Sequence, residues 1–401
     1  MTLDRATAEA VFREVVVRCD PAALVAAQRA MIAERAIGIA VGKAALAMAR
    51  GFGPVLRGIA VVPRGGAGEA PAGWQVVEAA HPVPDVTSVA AGRAIAALVD
   101  AADAPVACLI SGGASALIEQ PALPLPDFVA TVSAVAAAGA PIHELNVVRG
   151  ALSALKAGRL ALRCRMPIVT LAISDVIGDD LATIGSGPTI GPWLDRAQAV
   201  DVGLYHEALR VEAVAILERH AIAVPAVLAQ PIAAELVTRT DRAILLASLA
   251  YAAERAVETL AARGLAARLV RAPMHGEPAA IAELLAAEPG SIVAWGEPTL
   301  RLPADRGEGG RAQQLALELA RRIGGTARTA FVVGTDGVDG PPPHGRPAPA
   351  GAFVDGTTWD RIADPERALA RCDAGPALAA IGALVVTGPT GINHADLAIV
   401  A

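Results

Sequence analysis

Three stretches in the first half of this 401-residue chain carry side chains suited to handling a transferable anionic group. Ile39–Ala45 (IAVGKAA) passes from an apolar run through Gly42 into Lys43 and a helix-forming segment. A lysine at a helix start, after a glycine turn, sits beside free backbone N–H groups and the positive end of the dipole, a setting suited to phosphoryl charge. It is not a Walker A loop, because G-x-x-x-x-G-K-[ST] is absent, and a solvated first-turn lysine is the plain alternative. Val106–Leu117 (VACLISGGASAL) delivers Ser111, Gly112, Gly113 and Ser115 from the end of an apolar run. Two glycines let an anion approach the backbone, and the hydroxyls add donors; a tight turn would use the same residues. In Leu171–Thr189 (LAISDVIGDDLATIGSGPT), Asp175, Asp179 and Asp180 precede a Gly-Ser loop. Such carboxylates suit Mg²⁺ or a substrate hydroxyl, or serve as caps and turn formers.

The second half repeats the theme. Glu297 ends an apolar run in WGEPT, and Arg311 follows paired glycines in GEGGRAQQ, where it could take a phosphate or carboxylate bidentately. Asp336 and Asp339 lie in GTDGVDG, and Asn393 and Asp396 in TGPTGINHADL. Of the scattered histidines only His81 (AAHPVPD) and His394 adjoin motifs, and His81 reads as a loop hydrogen-bonder rather than a catalyst. No Ser–His–Asp or metal-ligand spacing is visible, and no G-x-G-x-x-G follows a strand, which weighs against a nicotinamide dehydrogenase.

Composition narrows the classes. The chain is 54% hydrophobic and 18% charged, which excludes a disordered or fibrous protein. A net charge of −6 and 3% aromatic residues argue against nucleic-acid binding. Mean hydropathy is +0.48, yet the uncharged runs Ala104–Ile118 and Phe128–Ile142 are broken by Gly and Pro and fall short of the about 20 residues a spanning helix needs. Cys19, Cys108, Cys164 and Cys372 form no CxxC pair, and the N-terminus lacks the basic and apolar regions of a signal peptide. A cytoplasmic location is expected. All but two of the 34 basic residues are Arg; Lys43 and Lys156 survive by chance or where a compact ammonium is needed.

Positioning these residues requires strands that end at them. Short β-type apolar runs alternate with Ala-rich helical stretches, the mark of α/β architecture with a largely parallel sheet. Strands are predicted at Ile37–Val41, Gly58–Val62, Val106–Ile110, Pro167–Ser174, Ala243–Ala247, Ala267–Val270, Ser291–Trp295, Thr329–Val333 and Ala383–Val386. Leu145–Arg163 and Trp193–His220 are among the predicted helices. Length implies two domains, and Val224–Arg239, with two prolines, is the best boundary, giving domains 1–235 and 236–401. Gly340–Ala350 (GPPPHGRPAPA) reads as an exposed loop.

Taken in order, these segments resemble the class II glycerate kinases, the glycerate 2-kinase family that carries a C-terminal MOFRL domain. The resemblance covers nearly the whole chain. It rests on GKAA at Gly42, HPVPD at His81, SGGASAL at Ser111, NVVRGALSALKAGRLA at Asn146 and SDVIGDDLATIGSGPT at Ser174. It continues with GEPTL at Gly296, GGRAQQLAL at Gly309, GTDGVDGP at Gly334, AGAFVD at Ala350 and TGPTG at Thr387. The resemblance implies a large Rossmann-like N-terminal domain, a smaller α/β C-terminal domain and an active site in the interdomain cleft. It implies ATP-dependent phosphorylation of D-glycerate on its 2-hydroxyl, with Mg²⁺, and no nucleic-acid or membrane partner; a homo-oligomer stays open.

The family's site residues fall on Lys43, Arg311, Asp175, Glu297, Asp336 and Asn393. On this reading Lys43 and Arg311 meet the γ-phosphoryl group. Ser111, Gly112, Gly113 and Ser115 hold nucleotide phosphates, with Glu297 and Asn393 also in the cofactor set. Asp175 and Asp336 hold Mg²⁺ or orient the glycerate hydroxyl; Lys43 becomes the meaningful survivor, and Lys156, in a helical stretch, keeps the plain reading of chance survival. Four departures from the family pattern stand out: Trp295 in WGEPT, expected to narrow the pocket; Ala312 after GGR; the proline-rich run after GTDGVDGP; and INHADL at the last motif. Members are often labelled hydroxypyruvate reductases, so an NAD(P)-dependent reductase is the rival reading, and a non-catalytic nucleotide-binding regulator a third.

Overall fold

A computed structural model describes residues 3–194, 196, 198–341 and 347–401. It forms two compact units, Pro21–Ala247 and, together, Met1–Asp20 with Ser248–Ala401. In the first unit six strands form one parallel sheet: β1 (Ile37–Val41), β2 (Gly58–Pro63), β3 (Trp74–Ala79), β4 (Val106–Ile110), β5 (Ile168–Ile173) and β6 (Arg242–Ala247). Every residue of β1 and β4 is buried, as expected of continuous Ile, Val, Ala and Leu runs covered on both faces. The strand order is β3-β2-β1-β4-β5-β6. That order reverses between β1 and β4, whose carboxyl ends form the switch point at which doubly wound sheets take ligands. Val41 and Ile110 are register partners, so Gly42-Lys43 and Ser111-Gly112-Gly113 leave the sheet side by side.

The second unit holds a mixed sheet of β7 (Arg268–Leu269), β8 (Met274–Gly276), β9 (Ile292–Pro298), β10 (Thr329–Gly334), β11 (Gly351–Asp355), β12 (Leu384–Val385) and β13 (Asp396–Val400). β13 lies antiparallel between β9 and β10 and is wholly buried. Side chains alternate faces along these strands. Ile292, Val332 and Ala398 meet the helix Arg311–Ile323, while Val293, Phe331 and Leu397 meet the helices Arg5–Arg18 and Tyr251–Ala262. Phe12 packs against Phe331 with ring centroids 5.9 Å apart.

The expected division at 235/236 is therefore corrected. β6 pairs in parallel with β5, and Leu236–Val237 pairs with Val200–Asp201, so the first unit extends to Ala247. The first 20 residues join the other unit because Val11, Phe12 and Val15 bury themselves in its core. Helix expectations also change. Leu145–Arg163 divides into Ile142–Ala151 and Arg159–Arg163, with Lys156 fully buried in the turn between. Trp193–His220 contracts to Val202–Arg219, and Trp193 is a core residue whose Nε1 donates to Asp241 at 3.0 Å. Within Gly340–Ala350, residues 342–346 lie outside the described residues, and Pro349 and Ala350 are buried rather than exposed. Among the described residues no helix is long and apolar enough to cross a membrane.

Candidate active site

In the first unit the two loops at the switch point are tied together. Lys43 N donates to Gly112 O at 2.8 Å, and Ala44 N donates to Ser111 Oγ at 3.0 Å. Gly42 has φ +133°, and a Cβ there would fall 2.1 Å from Ser111 Oγ, so glycine is required for the loops to meet. Ser111 is buried and joins the loops, a role different from the direct phosphate donor expected of it. Lys43 is exposed beside His81 and Gly113. A Cβ on Gly113 (φ +85°) would come 3.0 Å from the His81 ring and 3.5 Å from Lys43 Cγ. In HPVPD, then, Asp85 caps the helix Val86–Asp100 while His81 enters the site.

Partial burial, and then the Lys43 ammonium, hold His81 below the usual imidazole range, so the ring is neutral at pH 7. A cation beside it disfavours imidazolium. Lys43→Met is therefore expected to raise the His81 pKa, read by NMR as a titration midpoint moved to higher pH. An unchanged midpoint would separate the two side chains.

Asp175 leaves β5 and lies over Gly112, where an added Cβ would sit 2.3 Å from Asp175 Oδ2. The third motif contributes Ser186, whose Oγ lies 2.8 Å from Ser115 Oγ and 3.2 Å from Asn146 Oδ1. These residues gather around a cavity of about 230 Å³ lined by His81, Gly113, Ser115, Asn146, Arg149 and Asp175, with Thr183 and Gly185 nearby. Asn146 and Arg149 carried no role in the sequence reading, although both stand in the quoted NVVRG segment. Lys156, the other surviving lysine, is paired with Glu119 at 2.5 Å, both side chains almost wholly buried. Its ammonium neutralises a buried carboxylate, so the expectation that Lys156 survives by chance is corrected.

The second unit assembles its own cluster. Arg311 begins its helix with Nε 2.7 Å from Asp396 Oδ2 and Nη2 3.2 Å from Glu297 Oε1. Gly296 and Asp396 are register partners on β9 and β13, which fixes the two carboxylates on one side of the guanidinium. Asp339 caps that helix, accepting from Ala312 N at 3.0 Å and Gln313 N at 2.8 Å. Asp336 is exposed and accepts from Val338 N at 3.0 Å. Asn393 is half-buried on the segment leading into β13. Burial pushes Asp396 up to about 7, against the pull of Arg311; burial likewise raises Asp339. Glu297, expected to contact cofactor, pairs with Arg311. Trp295 is a core residue donating to Val270 O at 3.0 Å, so the expected pocket-narrowing role is corrected. Ala312 is buried in the core.

Asp175 and Asp336 belong to different units. Among the described residues no group of three His, Cys, Asp or Glu side chains can hold a metal ion. The residues present do not form a cage for Mg²⁺.

Sequence and structure comparisons agree with this layout. Residues 2–219 match a family described as a domain of unknown function, DUF4147, and residues 290–396 match the MOFRL family. A glycerate 2-kinase from Pyrococcus horikoshii is 31% identical over 88% of this chain and 84% of its own. A chain from Agrobacterium vitis, provisionally named a hydroxypyruvate reductase, is 35% identical over 90% of this chain and 98% of its own. The crystal structure of a glycerate kinase from Thermotoga maritima superposes with a TM-score of 0.85 at 28% identity, covering 97% of each chain. With both family segments in order and relatives matched along most of its length, the chain belongs to the glycerate 2-kinase family that ends in a MOFRL domain.

Proposed function

We propose that the chain is a D-glycerate 2-kinase that transfers the γ-phosphoryl group of ATP to the 2-hydroxyl, giving 2-phosphoglycerate and ADP. The hydroxyl oxygen forms a bond to γ-phosphorus, the bond to the β,γ-bridging oxygen breaks to release ADP, and the hydroxyl proton passes to water. The observation that carries this reading is the convergence, at the switch point of the parallel sheet, of Lys43, the Ser111–Ser115 loop and Asp175. Such a transfer needs positioning and charge neutralisation more than covalent chemistry.

In this reading Lys43 stabilises charge on the transferring oxygens, and Gly112 and Gly113 let phosphate approach the backbone. Asp175 accepts a hydrogen bond from the glycerate hydroxyl and orients it. Arg311, held by Asp396 and Glu297, supplies the second cation. Asp336 and Asn393 serve nucleotide binding. Mg²⁺ commonly binds through one or two carboxylates plus substrate phosphates; among the described residues no group of three ligating side chains forms a cage, and the roles above are assigned to the chain's own side chains.

A coupled assay with D-glycerate and ATP, resolving 2- from 3-phosphoglycerate, tests the proposal. Formation of 2-phosphoglycerate is expected. Oxidation of NAD(P)H by hydroxypyruvate without ATP-dependent turnover would favour the reductase, and ATP binding without turnover the regulator. Gly112→Ala offers an internal check, because the added methyl must displace the Asp175 carboxylate. Turnover is expected to fall about 10-fold, inside the ~10²-fold that a 1 Å misplacement can cost, with the melting temperature kept. Full activity in folded Gly112→Ala would remove Asp175 from the mechanism.

A further inference from the structure

The cavity that holds His81, Gly113 and Asp175 contains a cation that the mechanism above does not use. Arg149 follows Asn146 by three residues on the helix Ile142–Ala151, so the two share a helix face, and both line the cavity of about 230 Å³. The side chain is half-buried, and that burial lowers its pKa, with Glu119 the nearest opposing charge. Glu119 is already engaged elsewhere. Its carboxylate accepts from Lys156 Nζ and Ser153 Oγ, each at 2.5 Å, and from Gln120 N at 2.9 Å. Lys156 therefore neutralises Glu119. Among the described residues the Arg149 side chain makes no hydrogen bond and no ion pair.

A guanidinium kept in a cavity with its donors unpartnered is a receptor for an anion. Its planar fork matches the two oxygens of a carboxylate. Cavity size selects the anion. At about 230 Å³ the space is smaller than the ~300–1,000 Å³ of pockets for drug-sized ligands, which suits a three-carbon acid. The same wall carries Asp175, a partner for a hydroxyl, so one small molecule with both groups is complementary to it.

We propose that Arg149 binds the carboxylate of the hydroxy-acid substrate and makes this cavity the acceptor site. The assignment rests on the kinase reading and deepens it. It places substrate selectivity in the first unit: acids with a free carboxylate next to the reacting hydroxyl are taken, and neutral analogues are refused. The loss of one charge-assisted, bidentate contact corresponds to a change on the order of 10- to 100-fold.

The test compares wild type with Arg149→Met, which keeps the stem and removes the charge, and Arg149→Lys, which keeps the charge and loses the fork. Arg149→Met is expected to raise KM for D-glycerate on the order of 10- to 100-fold and to leave KM for ATP unchanged. It should also abolish the preference for D-glycerate over uncharged D-glyceramide, with Arg149→Lys intermediate. Calorimetric titration of D-glycerate without nucleotide should show the same weakening. If wild type binds D-glycerate but lacks ATP-dependent turnover, the kinase reading fails, while the titration still decides for or against Arg149. Equal glycerate affinity in wild type and both folded variants overturns the proposal, as does a rise confined to KM for ATP, or failure of wild type to bind D-glycerate. Should Arg149→Met unfold, Arg149→Lys alone decides: unchanged glycerate affinity there means the fork is not the receptor.

Discussion

Lys43→Ala is expected to lower kcat on the order of 10²–10³-fold, the scale for removing one preorganised donor from a charge-developing transition state, and Lys43→Arg is expected not to restore it. The argument is geometric. Lys43 begins where a glycine-only contact joins β1's loop to Ser111, and its Cγ would lie 3.5 Å from a Cβ on Gly113. The His81 ring lies 3.0 Å from the same Cβ position. A guanidinium is wider and presents its donors in a fixed plane, so in this space it carries charge to a different point. Since charge grows on the transferring oxygens only as the transition state forms, the loss belongs to kcat more than to KM. The composition agrees: in a chain whose basic residues are otherwise Arg, Lys156 is fixed by a buried carboxylate, which leaves Lys43 as the exposed lysine. Steady-state kinetics with both substrates varied would check this, and near-normal kcat in Lys43→Arg would refute a point-charge role.

The parts of this arrangement that were legible in the sequence are those written in local pattern. β1 and β4 are unbroken five-residue apolar runs with glycine beyond each, so the strands and their chemically loaded ends could be read directly. Strand order could not, because pairing β1 with β4 joins residues far apart in the chain, and no local signal specifies it. β3 escaped because at the sheet's edge it alternates burial and includes Gln75 and Glu78. β13 escaped because its four apolar residues, Leu397, Ala398, Ile399 and Val400, fit a strand and a buried helix equally. The N-terminal helix gave no sign of its distant partners. Among the candidate residues of the two units, Lys43, Asp175 and Arg311 followed strand ends or glycines. Arg149 and Asn146 sit inside an ordinary amphipathic helix, where a polar residue reads as a solvated face. Only the cavity distinguishes them. Asp396 was visible as a residue of the last motif, but its pairing with Arg311 depends on the register of β9 and β13.

That pairing makes Arg311→Ala the second large effect, and one with two separable components. Loss of the guanidinium is expected to cost kcat on the order of 10²-fold. It also leaves Asp396, 3% exposed, without its closest cation. Breaking a buried pair costs about 3–5 kcal/mol; because the Arg311 side chain is 37% exposed and water screens it, about 1–3 kcal/mol is the better expectation here. The pH dependence has a definite sign. Asp396 in the folded state is already raised to about 7, well above an unfolded carboxyl. Between those values the folded state binds more protons than the unfolded one, so stability from this group is full at low pH and is lost as pH rises. Arg311 holds the value down; without it the folded pKa climbs further and the penalty at pH 8 grows. Arg311→Ala should therefore melt close to wild type at pH 5 and clearly lower at pH 8. Adding Asp396→Asn removes the titrating group, and the double variant should recover the melting temperature at pH 8 without recovering kcat. If Lys43 and Arg311 serve one phosphoryl transfer, Lys43→Ala combined with Arg311→Ala/Asp396→Asn should lose less than the product of the separate losses. A combined loss equal to the product of the separate losses would mean the two cations serve different events, and a melting temperature in Arg311→Ala that does not depend on pH would mean that Asp396 is not the charge Arg311 balances.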